Sequence, residues 1–129
     1  MAGELVLIVE DNDMNLMLAR DLLELRGFRV LSAMTGEVGL QLARQHRPAV
    51  VLMDVQLPGM DGFAALAALR ADPATRDLVV AAFTASVMRE DVARISEAGF
   101  DGYIAKPIVV KEFPDQVQRL CAHRRPGSA

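Results

Sequence analysis

The chain has 129 residues, of which 52% are hydrophobic and 24% charged, enough for one buried core, too short for two, and unlike a disordered segment. A net charge of −3, with no basic stripe along any helical stretch, excludes a general electrostatic pull towards nucleic acid or anionic lipid. The single cysteine, Cys121, excludes an intramolecular disulfide, and the apolar run in MAGELVLIVED is too short for a signal peptide or a membrane span, which points to the cytoplasm.

Five short apolar segments alternate with five stretches of helical periodicity. Residues 5–9 (LVLIV) read as a strand that is apolar on both faces, and 14–26 as a helix whose Met and Leu stripe is assigned to the core. Gly27 stands where a left-handed helix cap is needed. The second strand is expected over 28–33, and Thr35 is placed to cap a helix over 36–46. The third strand, 50–53, is again wholly apolar and leads into Asp54, while Asp61 is placed to cap a helix over 63–70. A fourth strand over 78–83 is followed by Thr84, and a helix over 89–98 ends at Gly99. The fifth strand, 103–105, leads into Lys106, and a last helix runs over roughly 110–121. That helix lacks a Ser, Thr or Asp cap, and Pro114 is tolerated only in a first turn, which pushes its start later. The direction of the Phe83 ring is left open. Residues 123–129 read as a frayed tail, and the isolated His46 and His123 as solvated. The alternation calls for an α/β fold: one doubly wound, five-stranded parallel sheet covered by helices on both faces, a single domain over 1–129 with its core in 5–121.

In an open parallel sheet, ligands bind beyond the carboxyl ends of the strands. Four strands deliver polar residues there: Glu10 and Asp11, then Asp54, then Thr84, then Lys106. Acidic residues after a strand often do no more than cap the next helix, which suits Asp13 and Asp61. Caps alone do not account for Glu10, Asp11 and Asp54 together with Thr84 and Lys106. Two carboxylates about 4 Å apart at an effective dielectric near 20 repel by roughly 4 kcal/mol, and a third adds to that cost, so a cation is required. Hard oxygen donors without nearby His or Cys select Mg²⁺, with Mn²⁺ as the other fitting ion, over zinc. A phosphoryl group entering such a site meets a metal, an ammonium and a hydroxyl, and Asp54 is the natural nucleophile.

The motifs VLIVEDN (6–12), LMDVQLPGMDG (52–62), FTA (83–85) and GYIAKP (102–107) make the chain resemble the response-regulator receiver family over nearly its whole length. The resemblance implies a flavodoxin-like (βα)5 fold with strand order 2-1-3-4-5. It implies Asp54 as the phosphorylated aspartate, Asp11 as a direct metal ligand, Glu10 as a ligand acting mainly through water, and Gln56 as the donor of a backbone carbonyl to the metal. Thr84 and Lys106 would grip the phosphoryl oxygens, and the Lys106–Pro107 bond would be cis. Tyr103 matches the aromatic residue that follows the Thr hydroxyl inward on activation, reshaping a face built from the fourth helix, fifth strand and fifth helix. Gln56 and Ser86 occupy positions that tune hydrolysis in the family, and Asn15 reads as surface polar.

The implied function is a phosphorylation-dependent switch of a two-component system, not a multiple-turnover enzyme. It would receive its phosphoryl group from a histidine kinase or a histidine phosphotransfer protein and, acting as a monomer, dock on a downstream protein. The EDN opening resembles single-domain regulators of the DivK type, and receivers attached to hybrid histidine kinases share it. A haloacid-dehalogenase-type hydrolase would want a second acid two residues after the nucleophile, where Gln56 stands. A nucleotide- or flavin-binding module would want a Gly- or Ser/Thr-rich loop where Glu10 to Asp13 would repel a phosphate.

Overall fold

A computed structural model describes residues 3–122. Five strands, β1 (Leu5–Val9), β2 (Arg29–Ala33), β3 (Val50–Asp54), β4 (Val80–Thr84) and β5 (Gly102–Ala105), form one parallel sheet in the order β2-β1-β3-β4-β5. The connecting helices are α1 (Asp13–Leu25), α2 (Gly36–His46), α3 (Gly62–Ala71), α4 (Arg89–Ala98) and α5 (Phe113–Cys121).

Alternate residues of the central strands feed two apolar layers, as the period of two requires. Val6, Ile8, Val50, Leu52, Ala81 and Phe83 face α1 and α5, where they pack on Ala19, Leu23, Phe113 and Val117. Leu7, Val9, Val51, Met53, Val80 and Ala82 face the opposite layer, filled by Ala43 of α2, Ala65, Leu66 and Leu69 of α3, and Ile95 of α4. This two-sided burial is why the third strand is apolar at every position before Asp54. The Phe83 ring turns towards the α1 and α5 layer and stacks on Phe113, with centroids 5.9 Å apart.

Thr35 and Asp61 cap α2 and α3 through their side chains, and Gly27 and Gly99 take φ of 97° and 107° after α1 and α4. At α1 the capping oxygen belongs to Asn12, which accepts from the Asn15 N–H, and Asp13 lies in the first turn instead. The fourth strand starts later than expected and includes Thr84. Ahead of it, the Leu78 N–H turns back to the Thr75 carbonyl, and Val79, whose carbonyl accepts from the Val51 N–H, leads into the strand. The last helix also starts late, at Phe113, with Pro114 in its first turn. A turn that returns the Glu112 and Phe113 N–H groups to the Val109 carbonyl takes the place of its expected opening. The stripe on α1 is a larger correction. Ala19 and Leu23 are buried and Leu16 and Leu22 half-buried, but Met14 and Leu25 are 81% and 86% exposed and Met17 and Leu18 are exposed too. The core-facing stripe of α1 is therefore narrower than its apolar composition suggested, because one helix face meets only one sheet face. The expected tail over 123–129, His123 included, lies outside the described residues.

At the amino edge of the sheet, Arg70 at the end of α3 reaches four places. Its guanidinium donates to the carbonyls of Arg76, Leu78 and Gly99 and to the Asp101 carboxylate at 3.0 Å, and Asp101 accepts from the Val80 N–H at 2.8 Å. One side chain thus ties together the ends of α3 and α4 and the entries to β4 and β5. Gly62, the first residue of α3, lies against the other edge: a Cβ there would come within 2.3 Å of the Asp54 carbonyl oxygen and 2.7 Å of the Val55 Cα. Gly62→Ala is therefore expected to cost about 1–3 kcal/mol, since backbone rather than a flexible side chain must move, read as a lower urea midpoint at unchanged slope.

Burial, followed by the negative charge of Glu4, pushes the Cys121 thiol from an ordinary 9.0 up to about 12. The neutral thiol is the form the fold favours, so its contribution to stability is intact below pH 9 and is lost as the pH climbs towards 12. At pH 8 the folded protein is expected to react with an aromatic disulfide reagent at least about tenfold more slowly than the urea-unfolded chain, followed by release of the coloured thiolate.

Candidate phosphoryl-acceptor and metal site

Register explains why the polar residues meet. Val9 pairs with Met53, so Glu10 and Asp54, each one residue on, leave the sheet side by side. Asp54 pairs with Phe83 and Thr84 with Ala105, which sets Thr84 one step above Asp54 and Lys106 one step beyond Thr84. The backbone ladder continues through these positions: the N–H groups of Glu10, Val55 and Lys106 donate to the carbonyls of Ala33, Phe83 and Thr84. The site residues are therefore extensions of rigid strands.

Glu10, Asp11 and Asp54 each offer a carboxylate oxygen, and the three atoms lie within 4.8 Å of one another. Glu10 and Asp54 are only 1% and 3% exposed, whereas Asp11 is open to solvent. The Lys106 ammonium spans the two buried acids, 3.0 Å from Glu10 Oε1 and 3.1 Å from Asp54 Oδ2. The other carboxylate oxygens accept backbone N–H groups, Glu10 Oε2 from Asn12 at 3.1 Å and Asp54 Oδ1 from Gln56 at 2.9 Å. Both oxygens of Asp54 are thus engaged and its plane is fixed.

Burial above all, and the adjoining Asp54 carboxylate next, raise the Glu10 pKa against the opposing pull of Lys106 and of the Asn12 N–H. For Lys106, burial favours the neutral amine, but hydrogen bonds to Glu10 and Asp54 and the charges of both outweigh it, and its pKa rises. One cation against three acids leaves negative charge uncompensated. Hard oxygen donors in that number fit a divalent ion such as Mg²⁺.

The acidic group forms one end of a cavity of about 620 Å³, also lined by Thr84, Ser86, Gln56 and Lys106. Thr84 is buried, with its hydroxyl engaged by Ser86. The Lys106–Pro107 peptide is cis. Tyr103 does not join these residues: it does not line the cavity and is 44% exposed on edge strand β5. Asn15, read from sequence as surface polar, lines the cavity, and so do Asp61, Phe63, Asp91, Arg94 and Ile95. Phe63 and Arg94 pack as a cation–π pair, the guanidinium 4.1 Å from the ring centroid. The i, i+3, i+4 spacing of Asp91, Arg94 and Ile95 places them on one face of α4, but sequence alone does not say that this face meets the site.

The doubly wound sheet carries a carboxylate cluster, a lysine and a threonine together at the carboxyl ends of its strands. The chain belongs to the response regulator receiver domain family, whose model matches residues 6–118. It is 42% identical over 113 residues to the polar-differentiation response regulator DivK of Brucella anthropi, covering 88% of this chain and 92% of that one. DivK of Brucella ovis is similar at 41% over the same shares. Among solved structures, the receiver domain of sensor histidine kinase PA1611 from Pseudomonas aeruginosa, with a magnesium ion coordinated in its active site cleft, matches with a TM-score of 0.85 at 32% identity, covering 95% of this chain and all of that one. The receiver domain of a histidine kinase from Syntrophus aciditrophicus matches with a TM-score of 0.83 at 28% identity over 98% of each chain. The protein is thus a DivK-like two-component signalling receiver, and its acidic cluster is compatible with Mg²⁺. No described helix is long and apolar enough to cross a membrane.

Removing the Lys106 ammonium leaves two buried carboxylates facing each other. Lys106→Met is expected to destabilise the metal-free protein by about 3 kcal/mol at pH 7. The loss shrinks as the pH falls below 7, because Glu10, its pKa already raised, takes up a proton sooner than an ordinary glutamate and relieves the repulsion. Urea unfolding in chelator at pH 7 and below measures it.

Proposed function

We propose that Asp54 accepts a phosphoryl group from a histidine kinase or a histidine phosphotransfer protein, and that the phosphorylated domain acts in the cytoplasm by docking on a downstream protein. The single observation that carries this reading is the Lys106 ammonium bridging Glu10 and Asp54, with Thr84 buried alongside.

Glu10, Asp11 and Asp54, with the Gln56 backbone carbonyl, would hold Mg²⁺, whose charge lowers the repulsion between an anionic nucleophile and an anionic donor. An oxygen of Asp54 attacks phosphorus. The new O–P bond forms as the P–N bond to the donor imidazole breaks, and the electron pair leaves with the nitrogen. The N–H of Gln56 holds the carboxylate plane during attack. Lys106 moves from the free carboxylate to a phosphoryl oxygen and the Thr84 hydroxyl turns to donate to another, so charge built up in the transition state meets two donors. Tyr103, exposed on β5, is the aromatic residue that follows Thr84, and the face of α4, β5 and α5 presents the result to the partner.

Incubation with Mg²⁺ and acetyl phosphate is expected to add one phosphoryl group, detected by intact mass, and Asp54→Asn to abolish it. Chelation of Mg²⁺ is expected to slow labelling of the wild type at least about a hundredfold. Equal labelling of the Asn variant would reject Asp54 as acceptor, and steady release of phosphate over many turnovers would favour a hydrolase instead.

A further inference from the structure

The Thr84 hydroxyl is held in a closed hydrogen-bonded ring. It donates to the Ser86 carbonyl at 2.9 Å and accepts from the Ser86 N–H at 3.1 Å. A threonine hydroxyl carries one proton, so it cannot donate to a phosphoryl oxygen while that proton serves the Ser86 carbonyl. Activation, on the reading above, therefore needs this ring to open.

Ser86 is not free to yield. Its hydroxyl donates to the Asp91 carboxylate in the first turn of α4, and the same oxygen accepts from the Met88 N–H at 3.4 Å. The α4 N-cap, Met88, makes no side-chain cap hydrogen bond, and Ser86 holds the helix start through the Met88 N–H and through Asp91 in the first turn. The helix start and the Thr84 ring are thus fastened to a single serine, and both Ser86 and Asp91 line the cavity that holds Asp54.

We propose that Asp91, acting through the Ser86 hydroxyl, is a positioning residue that keeps Thr84 turned into its own loop and so restrains phosphoryl binding at Asp54. The bridge makes the unphosphorylated arrangement the lower one. When the Thr84 hydroxyl turns its O–H from the Ser86 carbonyl to a phosphoryl oxygen, Ser86 loses a bond on one side while still anchored on the other, and the first turn of α4 has to give way. Asp91 and Ser86 then set the cost of activation without touching the phosphoryl group.

This inference rests on the phosphoacceptor reading, and the test separates the two. Beryllofluoride, a phosphoryl mimic, is titrated into the full chain at saturating Mg²⁺ and followed by calorimetry. Ser86→Ala and Asp91→Ala are each expected to bind it about three- to tenfold more tightly than wild type, the worth of one hydrogen bond released. Asp91→Asn, which keeps an acceptor oxygen, should fall between them and wild type. Glu90→Ala removes the neighbouring first-turn acid without breaking the bridge and should leave affinity unchanged, which excludes a general helix-dipole effect. In a Thr84→Ala background the gain from Ser86→Ala should vanish, an outcome that mere loosening of α4 would not give. Wild-type or weaker binding by both Ser86→Ala and Asp91→Ala would overturn the proposal alone, whereas failure of the wild type to bind beryllofluoride would overturn the phosphoacceptor reading and this one with it.

Discussion

Two carboxylates, Glu10 and Asp54, are buried side by side and share one ammonium. An arrangement of this kind is tolerable only where the attraction to a common cation outweighs both the cost of removing charge from water and the mutual repulsion of the acids. Everything about the carboxyl edge of the sheet serves that balance. Parallel register aligns the two acids, the long Lys106 stem reaches back from two steps above, and backbone N–H groups of Asn12 and Gln56 take the remaining oxygens. The result is a small volume of surplus negative charge held by stiff strands, suited to a divalent ion and then to a phosphate.

The fold was largely legible because its periodicities are unmixed. Val50 to Met53 are apolar at every position, which only a strand covered on both faces explains, and Thr35, Asp61 and Gly99 mark helix ends by the chemistry that helix ends need. The strand order came from family resemblance, since nothing local to a helix tells it which way to cross. The elements misjudged at their edges are those where tertiary contacts override local pattern. Leu78 looks like strand but is drawn back by the Thr75 carbonyl, and residues 110–112 look like helix but form a turn ahead of Pro114. On α1, apolar composition suggested a wide buried stripe, whereas Met14 and Leu25 face water.

The site divided along the same line. Glu10, Asp11, Asp54, Thr84 and Lys106 could be found in the sequence because each sits at a strand end, and strand ends of a parallel sheet converge whatever the loops do. The α4 contribution could not. Asp91 and Arg94 reach the cavity because Ile95 seats α4 in the core and Arg94 lies over the Phe63 ring, neither of which leaves a signature beyond ordinary helical spacing. Tyr103 shows the reverse: a family position legible from GYIAKP, whose side chain here stands outside the cavity.

The Arg70 guanidinium gives the molecule a mechanical polarity. By grasping the carbonyls of Arg76, Leu78 and Gly99 and the Asp101 carboxylate, it welds the floor beneath β4 and β5. The clamp lies where β4 and β5 begin, while the chemistry sits where they end. One half-buried arginine, at the edge opposite the cavity, thus sets the footing of the two strands whose far ends carry Thr84 and Lys106.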